Sequence, residues 1–373
     1  MVNDKVAKAT PAPFNGEMVR LGRQLRALTQ RQFSDLLCAE ASSLSRIENG
    51  MTQLSLEAAE KAADVLEVPV DFFRQQERPY GLPLSVHPMW RAKAAVSQHS
   101  IDQALAALNL RIMHVRRLIR SVEFEPVLPL PDVDLASHDG DAARAAEFVR
   151  RLWLMPSGPV HDLVQWVERA GCFVMLADLP EAAMSGVTMR VPDMRPCIFL
   201  NASMPADRMR HTLAHELGHL ILHRYPSEDM EREADAFASA FLMPANDMRP
   251  YLAGKKIDLR LLASLKPEWR VSMQSLLYRS ATLGYVSGNQ ERYLWQQFSM
   301  NKWRMREPAE LDFAQEQPSL VAKLFALHIE RLGYSLADLA SLAAVHEAEL
   351  LRMYPIPGDS RPGKQRPQLH IVG

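Results

Sequence analysis

The chain is poor in cysteine, with three among 373 residues (Cys38, Cys172 and Cys197) and no C-x-x-C pair. That excludes a disulfide framework and a thiolate-bound zinc. It also lacks an excess of either charge, since 43 basic and 44 acidic residues give a formal net charge of -1. Contact with a polyanion must therefore come from local arrangement. No apolar run approaches the roughly 20 residues that span a bilayer, and the first residues carry no signal-peptide apolar stretch. The sequence therefore reads as cytoplasmic, without a membrane partner. At 47 % hydrophobic content it is long enough for two or three cores of ordinary size.

What is present is His211-Thr-Leu-Ala-His215-Glu216-Leu-Gly-His219-Leu-Ile-Leu-His223, an H-E-x-x-H motif inside one amphipathic run. Two histidines four residues apart share a helical face and can bind one metal ion. Glu216 follows the first of them, where it can take a proton from a water activated by that metal. This is the pattern of a zinc hydrolase. The His spacing of four also extends to His211 and His223, but only His215 and His219 carry the glutamate between them.

Zinc held by two histidines needs a third protein ligand and an open position. The next helical run, Glu231-Arg-Glu233-Ala-Asp235-Ala-Phe237-Ala-Ser-Ala-Phe241-Leu242-Met-Pro244, offers two carboxylates early on and is stopped by Pro244. Glu231 precedes Ala234, Ala238 and Phe241 at helical spacing, on the apolar face that must pack against the His helix. Glu233 has Phe237 four residues on but a less apolar flank. Glu231 is thus the expected ligand, Glu233 the alternative, and Asp235 the acceptor that orients a ligating histidine.

The block from Arg210 to Pro244 resembles the ImmA/IrrE family of zinc metallo-endopeptidases. It does so through His-Thr-Leu-Ala-His-Glu-Leu-Gly-His, then Glu-x-x-Ala-Asp-x-Phe-Ala and Leu-Met-Pro. The resemblance implies a zincin-like α+β core, Zn2+ as cofactor, Glu231 as third ligand by position, and a protein substrate such as a transcriptional repressor. His223 and Tyr225 are the nearest candidates for an oxyanion donor.

Near the start, Thr29-Gln30-Arg-Gln-Phe33-Ser34-Asp-Leu-Leu37, a turn from Cys38 to Ala41, and Ser42-Ser43-Leu44-Ser45-Arg46-Ile47-Glu48-Asn49-Gly50 form a helix-turn-helix pattern. Phe33, Leu37, Leu44 and Ile47 would hold the two helices together, Thr29 would cap the first, and Gly50 would end the second. Ser42, Ser43 and Arg46 are left for the major groove of double-stranded DNA, where Arg46 can donate two bonds to guanine.

This stretch resembles the XRE family of regulators, which places Gln30, Ala41, Ser42, Ser43 and Arg46 at DNA-facing positions and Asn49 and Thr52 near phosphates. Cys38 stands where a turn glycine is usual, Glu40 where a capping serine or threonine is common, and Met51 where a basic residue is frequent. Arg20, Arg23, Arg26, Arg31 and Arg46 would give the unit a basic leading edge, with a homodimer supplying the rest of the affinity.

The expected organisation is multidomain. A disordered lead (1–14) precedes an all-α helix-turn-helix domain (15–78), a helical connector (79–140), an α+β peptidase domain (141–250), a mostly α-helical C-terminal region (251–354) and a mobile tail (355–373). Arg111, Arg116, Arg117 and Arg120 on the connector read as a solvated face rather than a nucleic-acid patch. Trp269 to Arg279 reads as a prominent helical stretch. Tyr334 to Ala340 repeats the cadence of Gln32 to Leu37, hinting at a second helix-turn-helix-like element, and Leu369 to Val372 can form a strand. Three functions fit: a regulator whose peptidase cleaves a repressor or itself, a transcription factor with a non-proteolytic ligand-sensing domain, and a peptidase that uses the helix-turn-helix only to dock protein.

Overall fold

The computed structural model describes residues 12–81, 97–179 and 185–356. The first eleven residues, connector residues 82–96 and the tail beyond 356, with the strand expected at Leu369–Val372, lie outside the described residues. Among those described are sixteen α-helices and one three-stranded sheet.

The N-terminal unit comprises α1 (Gly16–Leu25), α2 (Gln30–Leu36), α3 (Ala41–Glu48), α4 (Leu56–Leu66) and a 3₁₀ turn at Val70–Arg74. Its helices start where a side chain can take an orphan N–H. Asn15 accepts from Glu17, Thr29 forms a capping box with Gln32, and Ser55 accepts from Ala58. α3 has no such cap, because Glu40 occupies the N-cap and makes no capping bond. The chain leaves α2 through Cys38 at φ +53°, and Gly50 ends α3 at φ +71°. Phe33, Leu44, Leu66, Phe72 and Phe73 are buried.

After α5 (Gln98–Ile119) the centre is built from α6 (Ala142–Leu152), α7 (Leu163–Arg169), β1 (Phe173–Ala177), β2 (Gly186–Met189), β3 (Cys197–Asn201), α8 (Ala206–Leu222) and α9 (Met230–Leu242). The strand order is β1-β3-β2, with β1 parallel and β2 antiparallel to β3. Every residue of β3 is buried. The alternation of side chains explains how. Phe173, Met175, Val187, Met189, Cys197 and Phe199 join one hydrophobic core, while Val174, Ile198 and Leu200 join another. A strand covered on both faces needs the continuous apolar run that Cys-Ile-Phe-Leu provides.

The helices that follow divide between these two cores. α10 (Ala245–Leu252), α11 (Leu259–Trp269), α12 (Met273–Thr282) and α13 (Gly288–Met300) pack with α8 and α9. α14 (Leu320–Glu330), α15 (Leu336–Ala343) and α16 (Glu347–Met353) return to the other face of the sheet and share a core with α5 and the helix-turn-helix unit. The stretch expected as one C-terminal region thus serves both halves. Nor is Trp269 to Arg279 a single helix, for Arg270 at φ +53° separates α11 from α12.

The connector arginines depart from the solvated face expected of them. Arg117 is buried, pairs with Glu77, and donates to the carbonyls of Leu342 at 3.1 Å and Ala343 at 2.9 Å. Arg116 donates to the Tyr80 hydroxyl at 2.6 Å and to the Pro192 carbonyl at 3.0 Å. They tie the connector to the sheet loop and the last helices, and only Arg120 of the four is exposed.

Candidate metal centre and DNA-facing surface

α8 buries Leu213, Ala214, Leu217, Leu220 and Ile221 in the second core, which sets the face that His215 and His219 share. Their Nε2 atoms lie 3.0 Å apart, with the rings T-shaped at 82°. Gly218 lets α9 approach. A Cβ there would stand 3.2 Å from Phe237 and 3.3 Å from the Ala234 backbone. Through that close crossing Glu231 reaches both histidines, with Oε2 at 3.4 Å from His215 Nε2 and Oε1 at 3.4 Å from His219 Nε2. One turn on, Asp235 Oδ1 lies 2.7 Å from His215 Nδ1.

The charges are arranged for a cation. Burial pulls the His215 imidazole down, but the bonds to Asp235 and Glu231 outweigh it and hold the group up at about 10. Burial likewise raises Glu231, yet His215 and His219 bring it to about 2. Three atoms of His215, His219 and Glu231 gather in one cluster, the only one of its kind among the described residues. A tetrahedral zinc with bonds of about 2.0–2.2 Å needs donors about 3.3–3.6 Å apart, close to the spacing found. Glu231 Oε1 is buried without a hydrogen-bond partner, as an oxygen kept for a metal would be. The residues fit a zinc ion.

Glu216 sits beside this cluster, 5 % exposed, and its Oε2 is also buried without a partner. The edge strand β2 presses on it. A Cβ at Gly186 would meet Thr212 Cγ2 at 2.5 Å and Glu216 Cγ at 3.2 Å. Only a residue without a side chain lets the strand lie so near the carboxylate.

Glu233 lies apart from the cluster of three. It pairs with His223, Oε2 to Nε2 at 3.0 Å, and His223 Nδ1 faces His219 Nδ1 at 3.0 Å. Both nitrogens of His223 are therefore engaged, which removes it as an oxyanion donor. Tyr225 is 81 % exposed and is held by no bond that would aim it at a reacting group.

In the helix-turn-helix unit, Ala41, Ser42, Arg46, Asn49 and Thr52 are exposed and Ser43 is half-buried. Ser42, Arg46 and Asn49 follow at helical spacing along α3. Gln30 differs from the outward reading, because it is half-buried and its Nε2 donates to Glu48 Oε2 at 2.8 Å. Glu48 is fully buried and also takes two bonds from Arg23, at 2.6 and 3.0 Å. Arg20 donates to Asn49 Oδ1 at 2.6 Å, and Arg26 reaches Glu349 of α16 at 3.0 Å. The expected basic edge of five arginines is thus reduced to Arg31 and Arg46, the two that are exposed.

Residues 19–73 match the helix-turn-helix family model and residues 167–281 match the IrrE N-terminal-like domain. No curated protein matches the chain. An XRE-type helix-turn-helix DNA-binding domain and an IrrE/ImmA-like peptidase domain are therefore both present, in that order. Among the described residues no helix is long and apolar enough to cross a membrane. Glu48, Gly186, Gly218 and the His223–Glu233 pair escaped the sequence reading. Only the glycine of H-E-L-G-H offered a signal, as a small residue on a packed helix face.

Proposed function

We propose that the chain is a cytoplasmic DNA-binding transcriptional regulator carrying a zinc-dependent metallo-endopeptidase that cleaves a repressor or the chain itself. The convergence of His215, His219 and Glu231 on one point, with the unpartnered Glu216 carboxylate beside it, carries this reading.

His215, His219 and Glu231 would hold the metal, and Asp235 fixes His215 with Nδ1 turned outward and Nε2 inward. A zinc bound there supplies Lewis acidity and brings the pKa of water near ~7. Glu216 accepts a proton at Oε2, the buried oxygen with no competing donor, and later returns it to the leaving amine. β2 covers Glu216 from one side and keeps solvent from it. On the DNA side, Arg46 reads a base edge in the major groove while Ala41, Ser42, Ser43, Asn49 and Thr52 line the contact, with Gln30 positioned behind them by Glu48. Two exposed arginines offer few phosphate contacts, so a homodimer on two half-sites supplies the missing affinity.

A second reading, a ligand sensor without proteolysis, draws on the sheet beside α8, one face of which shares a core with the helix-turn-helix unit. Packing alone could carry a signal across it. Operator occupancy in cells, compared under the inducing condition for wild type and Glu216→Gln, separates the two. Release that depends on Glu216 is the expected result. Unchanged release in the variant removes proteolysis and leaves the sensor.

A further inference from the structure

Beyond the three ligands and Asp235, a second chain of bonds runs into the metal centre from the far end of α8. Glu233 Oε2 lies 3.0 Å from His223 Nε2, His223 Nδ1 lies 3.0 Å from His219 Nδ1, and His219 Nε2 faces the cluster. With both imidazoles neutral, only one set of proton positions satisfies both contacts. A carboxylate is an acceptor, so His223 must donate from Nε2. Its Nδ1 is then a lone pair, which accepts the Nδ1–H of His219 and leaves the His219 Nε2 lone pair free for the centre.

We propose that His223 and Glu233 are positioning residues that lock His219 in its ligating tautomer, a carboxylate–imidazole–imidazole relay standing where His215 has Asp235 directly. This rests on the reading of His215, His219 and Glu231 as a metal centre. His223 and His219 are both buried and Glu233 is 23 % exposed at its side chain, so water does not replace the inner link as it can the outer one. The two ligating histidines are thus anchored in different ways. The half-exposed Asp235 holds His215 in one step, and the buried relay holds His219 in two.

The test uses the full-length protein stripped of metal and titrated with zinc alone against a chromogenic chelator. His223→Ala is expected to weaken zinc binding by about 10- to 100-fold, as for other partners that orient a ligating histidine. Glu233→Gln gives a smaller loss, and the double variant binds no more weakly than His223→Ala, because Glu233 acts only through His223. His223→Asn puts an amide oxygen in place of Nδ1 and recovers most of the affinity. Long-range ¹⁵N–¹H spectra of the metal-free protein report His219 as the Nδ1–H tautomer in wild type and as a mixture in His223→Ala. Glu233→Gln, at the protein rim, keeps the test open should His223→Ala fail to fold. Wild-type affinity in both single variants, or fully additive losses in the double variant, overturns the relay and spares the metal centre. A wild-type chain that takes up no zinc overturns both.

Discussion

Glu48 and Glu231 are both carboxylates on helices that meet two other polar side chains, and they are satisfied in opposite ways. Glu48 is fully buried, and both of its oxygens are bonded by Arg23 and Gln30. Glu231 is 30 % exposed at its side chain, yet its Oε1 is buried without a hydrogen-bond partner, as is Oε2 of the neighbouring Glu216. A buried polar group left unpaired costs about 1–3 kcal/mol, so a fold keeps it only where something else gains. Satisfied charge marks the bolt of the helix-turn-helix unit. Oxygens left without a donor mark the cluster that His215 and His219 complete.

The comparison breaks most sharply by removing each carboxylate. Glu48→Ala leaves Arg23 buried without its partner and should cost about 3–5 kcal/mol, read as loss of the helix-turn-helix transition in urea unfolding. Glu216→Gln removes a charge that no hydrogen bond at Oε2 satisfies and that only the charge of His215 offsets. It should change stability by less than about 1 kcal/mol while zinc remains bound at one equivalent. Equal destabilisation by the two would mean that the missing partners of Glu216 are no sign of function.

Next in size are the two glycines that bring the site together. Gly218→Val places methyls against Phe237 and the Ala234 backbone and should cost about 1–3 kcal/mol in overpacking. It pushes away the helix that carries Glu231, so zinc affinity falls with stability. Gly186→Ala acts on β2, which carries no ligand. Its Cβ would displace Thr212 and Glu216, so peptide turnover should fall while zinc titration stays near wild type. Equal loss of zinc in both variants would undo this division between holding the metal and moving the proton.

A third contrast comes from pH. In the metal-free chain the His215 imidazole is raised from its ordinary 6.5 to about 10. Its contribution to stability is therefore complete below about pH 6.5 and fades as the pH climbs through about 10. Urea midpoints of metal-free protein should decline from pH 6.5 to 10, and less steeply in Asp235→Asn. Zinc uptake at neutral pH should release about one proton per chain, measurable by calorimetry in buffers of different ionisation enthalpy. An Asp235→Asn variant with the wild-type slope would detach His215 from its partner.

The helical start, the α+β centre, the helical C-terminal region and the H-E-x-x-H pair were legible because periodicity and spacing are local properties. The cap at Thr29 and the stop at Gly50 follow from pattern alone. What stayed hidden is set by contacts far apart in sequence. Arg26 meets Glu349 across 323 positions and Arg117 meets Ala343 across 226, and nothing near either arginine says that its charge turns inward. Spacing alone keeps Glu233 as an alternative ligand, because both glutamates lie on the first turn of α9. The 3.0 Å bond to His223, ten residues away, separates them.

The smallest effect concerns two of the turns where a residue other than glycine is left-handed. Cys38 leaves α2 at φ +53°, and Ala344 leaves α15 at φ +56°. An L-residue in the left-handed region carries about 1–2 kcal/mol of strain, which glycine relieves at the expense of a more flexible unfolded chain. The neighbours differ. Cys38 is exposed, so Cys38→Gly loses no packing and should stabilise the helix-turn-helix unit by about 0.5–1 kcal/mol. Ala344 is 1 % exposed and belongs to the core shared with α5. Ala344→Gly gives up a buried methyl worth about 0.8 kcal/mol, which offsets the relief and leaves stability nearly unchanged. Urea midpoints of the two variants decide it, and equal gains would mean that the Ala344 methyl contributes nothing to the core that joins the DNA-facing unit to the last helices.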